Sequence, residues 1–257
     1  MSFIEKRYHW HLDKPPIYFR DNTSDFAMIQ TLLHDRSEYN LPHMPSAKLV
    51  WDVGAHIGIM AIVLSEAYPK AVIHCYEPDA ENFQLLVKNV KHLAEAGRVV
   101  AHNYGLGNET KRTVTLFDSE DRQNTGGKSL YGTGNLKSEV RIVDARYEAE
   151  ETGAPQIMKI DCEGSEWAIF ESLDFGGILS KISWITGELH ALIGNPFGAL
   201  QLLHKTHDVR TTKEFGSLVW QFSAVNKSLM IKEAPVGKSK EGSGSDVKEK
   251  VLSQGSY

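Results

Sequence analysis

Two apolar runs in this chain end on acids. Residues 49–58 read LVWDVGAHIG, placing Asp52 and a glycine turn behind the first run, and the second run ends in CYEP, at Glu77 and Pro78. Gly54 and Gly58 bracket the turn. A residue without Cβ permits a sharp bend and a close approach of ligand to backbone, and the helix that follows offers unpaired N–H groups. A carboxylate at the end of the second strand can accept from both hydroxyls of a ribose. Ala55 and Ile57 interrupt the three-glycine dinucleotide fingerprint, which disfavours a nicotinamide or flavin cofactor. Asp52, the glycine turn and Glu77 together predict a ribose-bearing ligand without phosphate. S-adenosylmethionine is that ligand.

Two further segments, QIMKIDCEG and SWITGELH, bring Asp161, Glu163, Glu188 and His190 to adjacent strand ends. Displacement at the sulfonium methyl of such a ligand requires alignment of the acceptor and, if the acceptor is an unactivated alcohol, removal of its proton. Asp161, Glu188 and His190 are the catalytic candidates. His190 is a candidate general base because its ordinary pKa lies near neutrality, the alternative being a packed, hydrogen-bonded histidine leading into the next helix. Asp161 can orient the hydroxyl, complement a positive sulfur or ligate a metal. No metal is expected; Mg²⁺ held by Asp161, Glu188 and His190 is the less favoured alternative. Glu163 is read as a cap of the helix beginning near Ser165. Lys159 faces the same way as Asp161 and is expected to form a structural ion pair. His9 and His11 share a spacing that suits a strand face, without an identifiable partner.

The elements that position these groups alternate. A helix is expected over Ser24–Tyr39, capped by Ser24. Strand Leu49–Val53, helix Ile59–Ala67, strand Ala71–Tyr76, helix Ala80–Leu93 and strand Val99–Asn103 follow. Phe83, Leu86, Val87 and Val90 predict the buried stripe of the second of these helices. Arg112–Phe117 and Glu139–Val143 read as paired strands around a Gly-, Ser- and Asn-rich loop, Ser119–Lys137, expected to be mobile and on the surface. The rhythm returns with strand Gln156–Ile160, a helix around Trp167–Leu173, strand Ile182–Gly187, helix Pro196–His204, and strands Val209–Lys213 and Leu218–Val225. Trp10, Tyr18, Phe19, Trp167 and Phe170 are expected in the core.

This order predicts an α/β fold: a seven-stranded, mostly parallel sheet with helices on both faces and its ligand beyond the carboxyl ends of the strands. The expected organisation is a helical lead-in and lid over 1–48 and a main domain over 49–234. That domain carries an insertion near 111–144, and a disordered tail follows over 235–257.

At 257 residues, 41% hydrophobic and 24% charged, the chain has the composition of a soluble domain. A formal charge of -5 and a pI near 6.1 argue against a nucleic-acid partner. No apolar stretch approaches the roughly 18 residues of a membrane span. The two cysteines, Cys75 and Cys162, are too few for a disulfide scaffold and fit a reducing, cytoplasmic setting. A homodimer is compatible with this composition.

The blocks DVGAHIG, YEPDAENFQLLVKNV, NYGLGNE and KIDCEGSEWAIFESL are similar to successive blocks of the FkbM-type methyltransferases. FRDNTSDFAMIQTLLHDRSEY resembles that family's lead-in, with its Arg, Thr-Ser-Asp and Glu-Tyr. Asp144 falls where the family has an Asp after its hairpin. The resemblance runs from about Arg20 to about His190. It departs at His56, where Asn is usual, and at Cys162, which replaces an aliphatic residue. It implies a class I, Rossmann-like fold, S-adenosylmethionine as methyl donor and a hydroxyl oxygen as acceptor. By position it implies Gly54, His56 and Gly58 on the methionine side, Glu77 on the ribose, Pro78 and Leu106 about the adenine, and Asp161 beside the sulfonium. The expected function is an O-methyltransferase acting on a small-molecule or glycan hydroxyl. The alternatives are a catalytically silent S-adenosylmethionine-binding module and, less favoured, a nicotinamide-dependent dehydrogenase.

Overall fold

A computed structural model describes residues 3–36, 39–211 and 218–230. The lead-in is not wholly helical. It opens with an antiparallel hairpin, β1 (Glu5–Tyr8) and β2 (Ile17–Arg20), before α1 (Ser24–Ile29) runs into a π-helical turn, Gln30–Asp35. The helix expected to reach Tyr39 ends at Arg36, whose N–H closes on the Thr31 carbonyl and whose φ is 50°. Thr23 caps α1 in place of Ser24, its hydroxyl accepting from the Asp25 N–H.

The alternating elements follow: β3 (Leu49–Val53), α2 (Ile59–Ala67), β4 (Val72–Tyr76), α3 (Ala80–Asn89), α4 (Lys91–Glu95) and β5 (Val99–His102). The expected helix over 80–93 is therefore two helices, broken at Val90. The buried face of α3 is also rotated from the expected stripe. Asn82, Leu85, Leu86 and Asn89 are buried while Val87 is exposed, because both asparagines are held inward by hydrogen bonds. Next, β6 (Gly105–Gly107), β7 (Lys111–Phe117) and β8 (Lys137–Asp144) form a small sheet in the order β6-β8-β7.

After α5 (Ala145–Thr152) come β9 (Ile157–Ile160), α6 (Glu166–Phe175), β10 (Trp184–His190), α7 (Pro196–Thr206), β11 (His207–Thr211), β12 (Val219–Asn226) and α8 (Lys227–Met230). β10 runs beyond the expected Gly187 because β12 pairs along it as far as His190 opposite Val219. Lys213 and the tail over 235–257 lie outside the described residues.

Among the described residues the main sheet has seven strands, in the order β11-β12-β10-β9-β3-β4-β5. β5, β4, β3, β9 and β10 are parallel, and β12 runs antiparallel to both β10 and β11. This is the class I, Rossmann-like arrangement. On one face Val50, Ile73 and Ile157 join the apolar side of α2 and Leu86 of α3. On the other, Trp51, Tyr76, Met158 and Ile185 join Ile169, Phe170 and Leu173 of α6. Burying such a side chain contributes about 1.5–3 kcal/mol. Phe19 and Phe170 are buried, and Trp10, Tyr18 and Trp167 pack partly buried against the two clusters, as expected of core residues. No helix of the described residues is long and apolar enough to cross a membrane.

Strand order reverses between β3 and β9, so the two chains leaving them part at the carboxyl edge and open a crevice. Gly54, the first residue after β3, has φ +74°, and a Cβ there would stand 1.8 Å from the Asp161 carbonyl oxygen. Gly54→Ala is therefore expected to cost at least about 2 kcal/mol, lowering the melting midpoint by about 4–8 °C. Gly97 has a similar φ of +68° in open space, and Gly97→Ala should cost about 1–2 kcal/mol. Equal melting midpoints for the two variants would show that the close approach to Asp161 is not a constraint.

Candidate active site

The crevice holds a cavity of about 210 Å³ whose walls include Gly54, His56, Glu77, Pro78, Leu106, Asp161, Glu163 and Glu188. Most come from the turn behind a strand, while Leu106 lies within β6 and Glu188 within β10. Glu77, buried to 5% exposure, accepts the His56 N–H on Oε2 at 2.8 Å and the Asp79 N–H on Oε1 at 2.9 Å. Each carboxylate oxygen keeps a second lone pair. Two acceptors side by side, with apolar Pro78 and Leu106 beyond them, suit the vicinal hydroxyls and flat base of a nucleoside. Burial pushes the Glu77 carboxyl up to about 7, against the two N–H donors. Its capacity to accept two hydroxyls therefore grows as pH rises through that value.

Two of the residues expected at the cofactor stand elsewhere. Asp52 is fully buried within β3, opposite Lys159 of β9, and does not line the cavity. Its carboxyl makes no hydrogen bond and faces the Lys159 ammonium at 3.6 Å. Lys159 also donates to the Gly54 carbonyl at 2.9 Å, so this pair braces the glycine turn from below. Gly58 is likewise set back, with φ +86°, and packs near Val90 and Leu86. It shapes the turn without reaching the cavity.

On the other side of the crevice, His190 sits behind the wall at 6% exposure. Its Nδ1 lies 2.9 Å from Glu166, and its Nε2 lies 3.3 Å from Glu163, 3.8 Å from Asp161 and 4.0 Å from Glu188. Burial alone would lower its pKa, but the hydrogen bond to Glu166 and the neighbouring carboxylates carry it up to about 10. At neutral pH His190 is an imidazolium. It is not the free base that its residue type suggested.

Glu166, not Glu163, satisfies the turn before α6, accepting the N–H groups of Cys162 and Gly164, each at 3.2 Å. Glu163 is free of that duty. It has φ 52°, and its carboxyl is pushed up to about 7 by burial and by Asp161, Glu166 and Glu188, against the pull of His190. Asp161 behaves oppositely. Burial works against its charge, yet Lys159, His190 and the Tyr39 hydroxyl, which donates to it at 2.9 Å, hold its carboxyl below the ordinary range.

Ligand atoms of Asp161, Glu163 and His190 come within 4.8 Å of one another; Glu188 does not join that trio, contrary to the metal set considered from sequence. His9 and His11 lie exposed beyond the end of β1, in neither cluster of metal-capable groups found among the described residues.

The insertion is part of the site. Thr125 and Ser129 of the loop expected on the surface are buried. The Thr125 hydroxyl donates to Asp25 Oδ1 at 2.5 Å and lies 3.1 Å from His56 Nε2, while Ser129 donates to the Glu163 carbonyl at 2.6 Å. Asp25 in turn accepts from Arg20 Nε at 2.9 Å and Nη2 at 3.0 Å, and Arg20 also donates to Asn82 at 2.7 Å. Thus lead-in, glycine turn, α3 and insertion are cross-linked around the cavity. Sequence reasoning missed Thr125, Asn82 and Lys128, which pairs with Asp79 at 2.8 Å. Only the Arg, Thr-Ser-Asp and Glu-Tyr of the lead-in pointed towards Arg20, Asp25 and Tyr39.

A family model described as "Methyltransferase FkbM domain" matches residues 52–215. No curated protein matches the chain. Solved structures that resemble it include the precorrin-6y C5,15-methyltransferase of Geobacter metallireducens, at 14% identity over 70% of this chain and 81% of that one, with a TM-score of 0.42. M. capricolum TrmK, solved with S-adenosyl-homocysteine, is 12% identical over 72% of this chain and 64% of its own, with a TM-score of 0.41. The B. subtilis M1A22 tRNA methyltransferase TrmK is 13% identical over 72% and 62%, again with a TM-score of 0.41. This chain spans less than two thirds of either TrmK. These likenesses are distant and give no support to excluding nucleic acid as a partner.

Glu77→Ala should weaken S-adenosyl-homocysteine binding by about 1.5–3 kcal/mol, the value of hydrogen bonds to a charged acceptor. In the wild type, calorimetry should also show affinity falling as pH drops through 7, the value to which burial lifts this carboxyl. Unchanged affinity in the variant would remove Glu77 from the ribose.

Proposed function

The chain belongs to the FkbM methyltransferase family and is an S-adenosylmethionine-dependent methyltransferase, and on that premise we propose that it methylates a hydroxyl oxygen of a small molecule or glycan, with Glu163 receiving the hydroxyl proton. The observation that carries this reading is the pair of unlike carboxylates, Asp161 and Glu163, on one cavity wall. Unlike pKa values in adjacent acids divide the labour of orientation and proton transfer. The bound cofactor supplies an electrophilic methyl group on a sulfonium sulfur.

Gly54 and His56 border the methionine portion in this reading, Glu77 takes the ribose, and Pro78 and Leu106 flank the adenine. Asp161 stays ionised, oriented by Tyr39, and accepts a hydrogen bond that sets the direction of the acceptor oxygen. Glu163, poised near 7, takes the proton as that oxygen becomes a nucleophile. His190 keeps its two protons and balances the carboxylates behind the wall. Glu188, which lines the cavity within reach of Gln221 at 3.3 Å, shapes the polar end of the acceptor space. A formal charge of -5 supports a small or neutral acceptor over a polyanion.

Screening hydroxylated metabolites, glycans and RNA for release of S-adenosyl-homocysteine tests the acceptor class, and turnover on RNA alone would overturn it. With an acceptor in hand, Asp161→Asn and Glu163→Gln should each bind S-adenosyl-homocysteine to within about tenfold and lose at least about a hundredfold in turnover. The wild-type rate should climb as pH rises through 7, where Glu163 ionises, and Glu163→Gln should lose that climb. If Glu163→Gln keeps its turnover to within a few-fold, another group takes the proton.

A further inference from the structure

Away from the cavity, β4 and the edge strand β5 carry His74 and His102 on the same face of the sheet, two residues apart in register. Their rings stack with centroids 5.1 Å apart, and His74 Nδ1 lies 3.1 Å from His102 Nε2. Glu148 reaches in from α5, and one ligand atom from each of the three residues lies within 4.8 Å of the others. None of the three lines the methyl-transfer cavity. We propose that His74, His102 and Glu148 form a binding site for a divalent transition cation of the zinc class.

The donor set selects the cation. Two imidazoles and one carboxylate suit Zn²⁺, whereas Mg²⁺ and Ca²⁺ take oxygen shells. Two nitrogens bound to one tetrahedral Zn²⁺, each about 2.0–2.1 Å away, stand about 3.3 Å apart. The observed 3.1 Å is close to that separation.

The surroundings also fix the ligand atoms. Tyr76 donates to Glu148 Oε1 at 3.1 Å and Tyr104 donates to Oε2 at 2.9 Å, which holds the carboxylate facing the histidines. A phenol has one hydrogen, so Tyr104, 3.0 Å from His102 Nδ1, can only accept there. His102 therefore carries its hydrogen on Nδ1 and turns the lone pair of Nε2 towards His74. Metal-bound histidines commonly have this arrangement, the second nitrogen donating to an oxygen that orients the ring. Without a cation the His74 Nδ1–H fills the gap. Zn²⁺ takes its place when His74 shifts that hydrogen to Nε2, with no net change in protons. Both histidines are partly accessible, which leaves a route for entry, and the ion would pin α5 to β4 and β5.

The test is calorimetric titration of the chelator-treated full chain with ZnCl₂. One equivalent should bind and raise the melting midpoint. His74→Asn and His102→Asn should each weaken binding by at least about tenfold, and Glu163→Gln should leave it unchanged. No binding in the wild type, binding that survives the double substitution, or binding lost in Glu163→Gln would each overturn the proposal. Should the histidine variants fail to fold, anomalous scattering from wild-type crystals soaked in ZnCl₂ decides it. A peak between His74 and His102 supports the site, and a peak elsewhere or none refutes it.

Discussion

A single buried imidazolium sets the charge balance on which the cavity wall at the ends of β9 and β10 depends. Asp161, Glu163, Glu166 and Glu188 converge on His190 from the end of β9, the following turn, the first turn of α6 and β10. Four carboxylates this close repel one another, and burial makes each charge more costly. His190 offsets that repulsion, and they in turn raise its pKa to about 10 from the ordinary 6.5. Because the folded value lies above the unfolded one, the stabilisation is fully present below about pH 6.5 and is lost as pH rises through 10. The proton on His190 is thus part of the fold. The strand register makes the arrangement obligatory, since β12 holds β10 extended as far as His190.

The cofactor half rests on a different device. Close approach between the β3 turn and the end of β9 excludes a side chain at Gly54, and Lys159 ties the Gly54 carbonyl to the buried Asp52 below it. The turn then presents the His56 N–H to Glu77. Above it, Arg20, Asp25, Asn82 and Thr125 bind the lead-in and the insertion to the same wall. Backbone groups, rather than flexible side chains, fix the position of the Glu77 carboxylate, which is what suits it to the proposed contact with a ribose.

Much of this was legible from residues alone. The alternation of apolar runs and glycine turns specified the parallel strands, and the acids behind β4 and β9 marked the crevice. Four things were not. Asn82 and Asn89 break the apolar periodicity of α3 because they are buried polar groups whose partners come from distant segments, so Val87 was placed on the wrong face. The Gly-rich insertion looked like surface loop by composition, since nothing local reveals that Thr125 and Ser129 find partners in the lead-in and at Glu163. His190 was read from its intrinsic pKa, whereas its state is decided by carboxylates separated from it in sequence and joined to it by the fold. Glu163 was read as the cap for the same reason: Glu166 reaches the Cys162 and Gly164 N–H groups and leaves Glu163 to face the cavity.

The state of His190 is therefore the most direct gauge of the whole arrangement. Histidine-selective NMR of the full chain, with the His190 resonance assigned by its loss in His190→Gln, follows that single ring through a pH titration. The expected result is an imidazolium that keeps its proton from neutral pH to about pH 9, the ionisation of Glu163 near 7 shifting its signals by less than loss of the ring proton would. Titration near 6.5, the ordinary value, would contradict it and return the role of proton acceptor from Glu163 to His190.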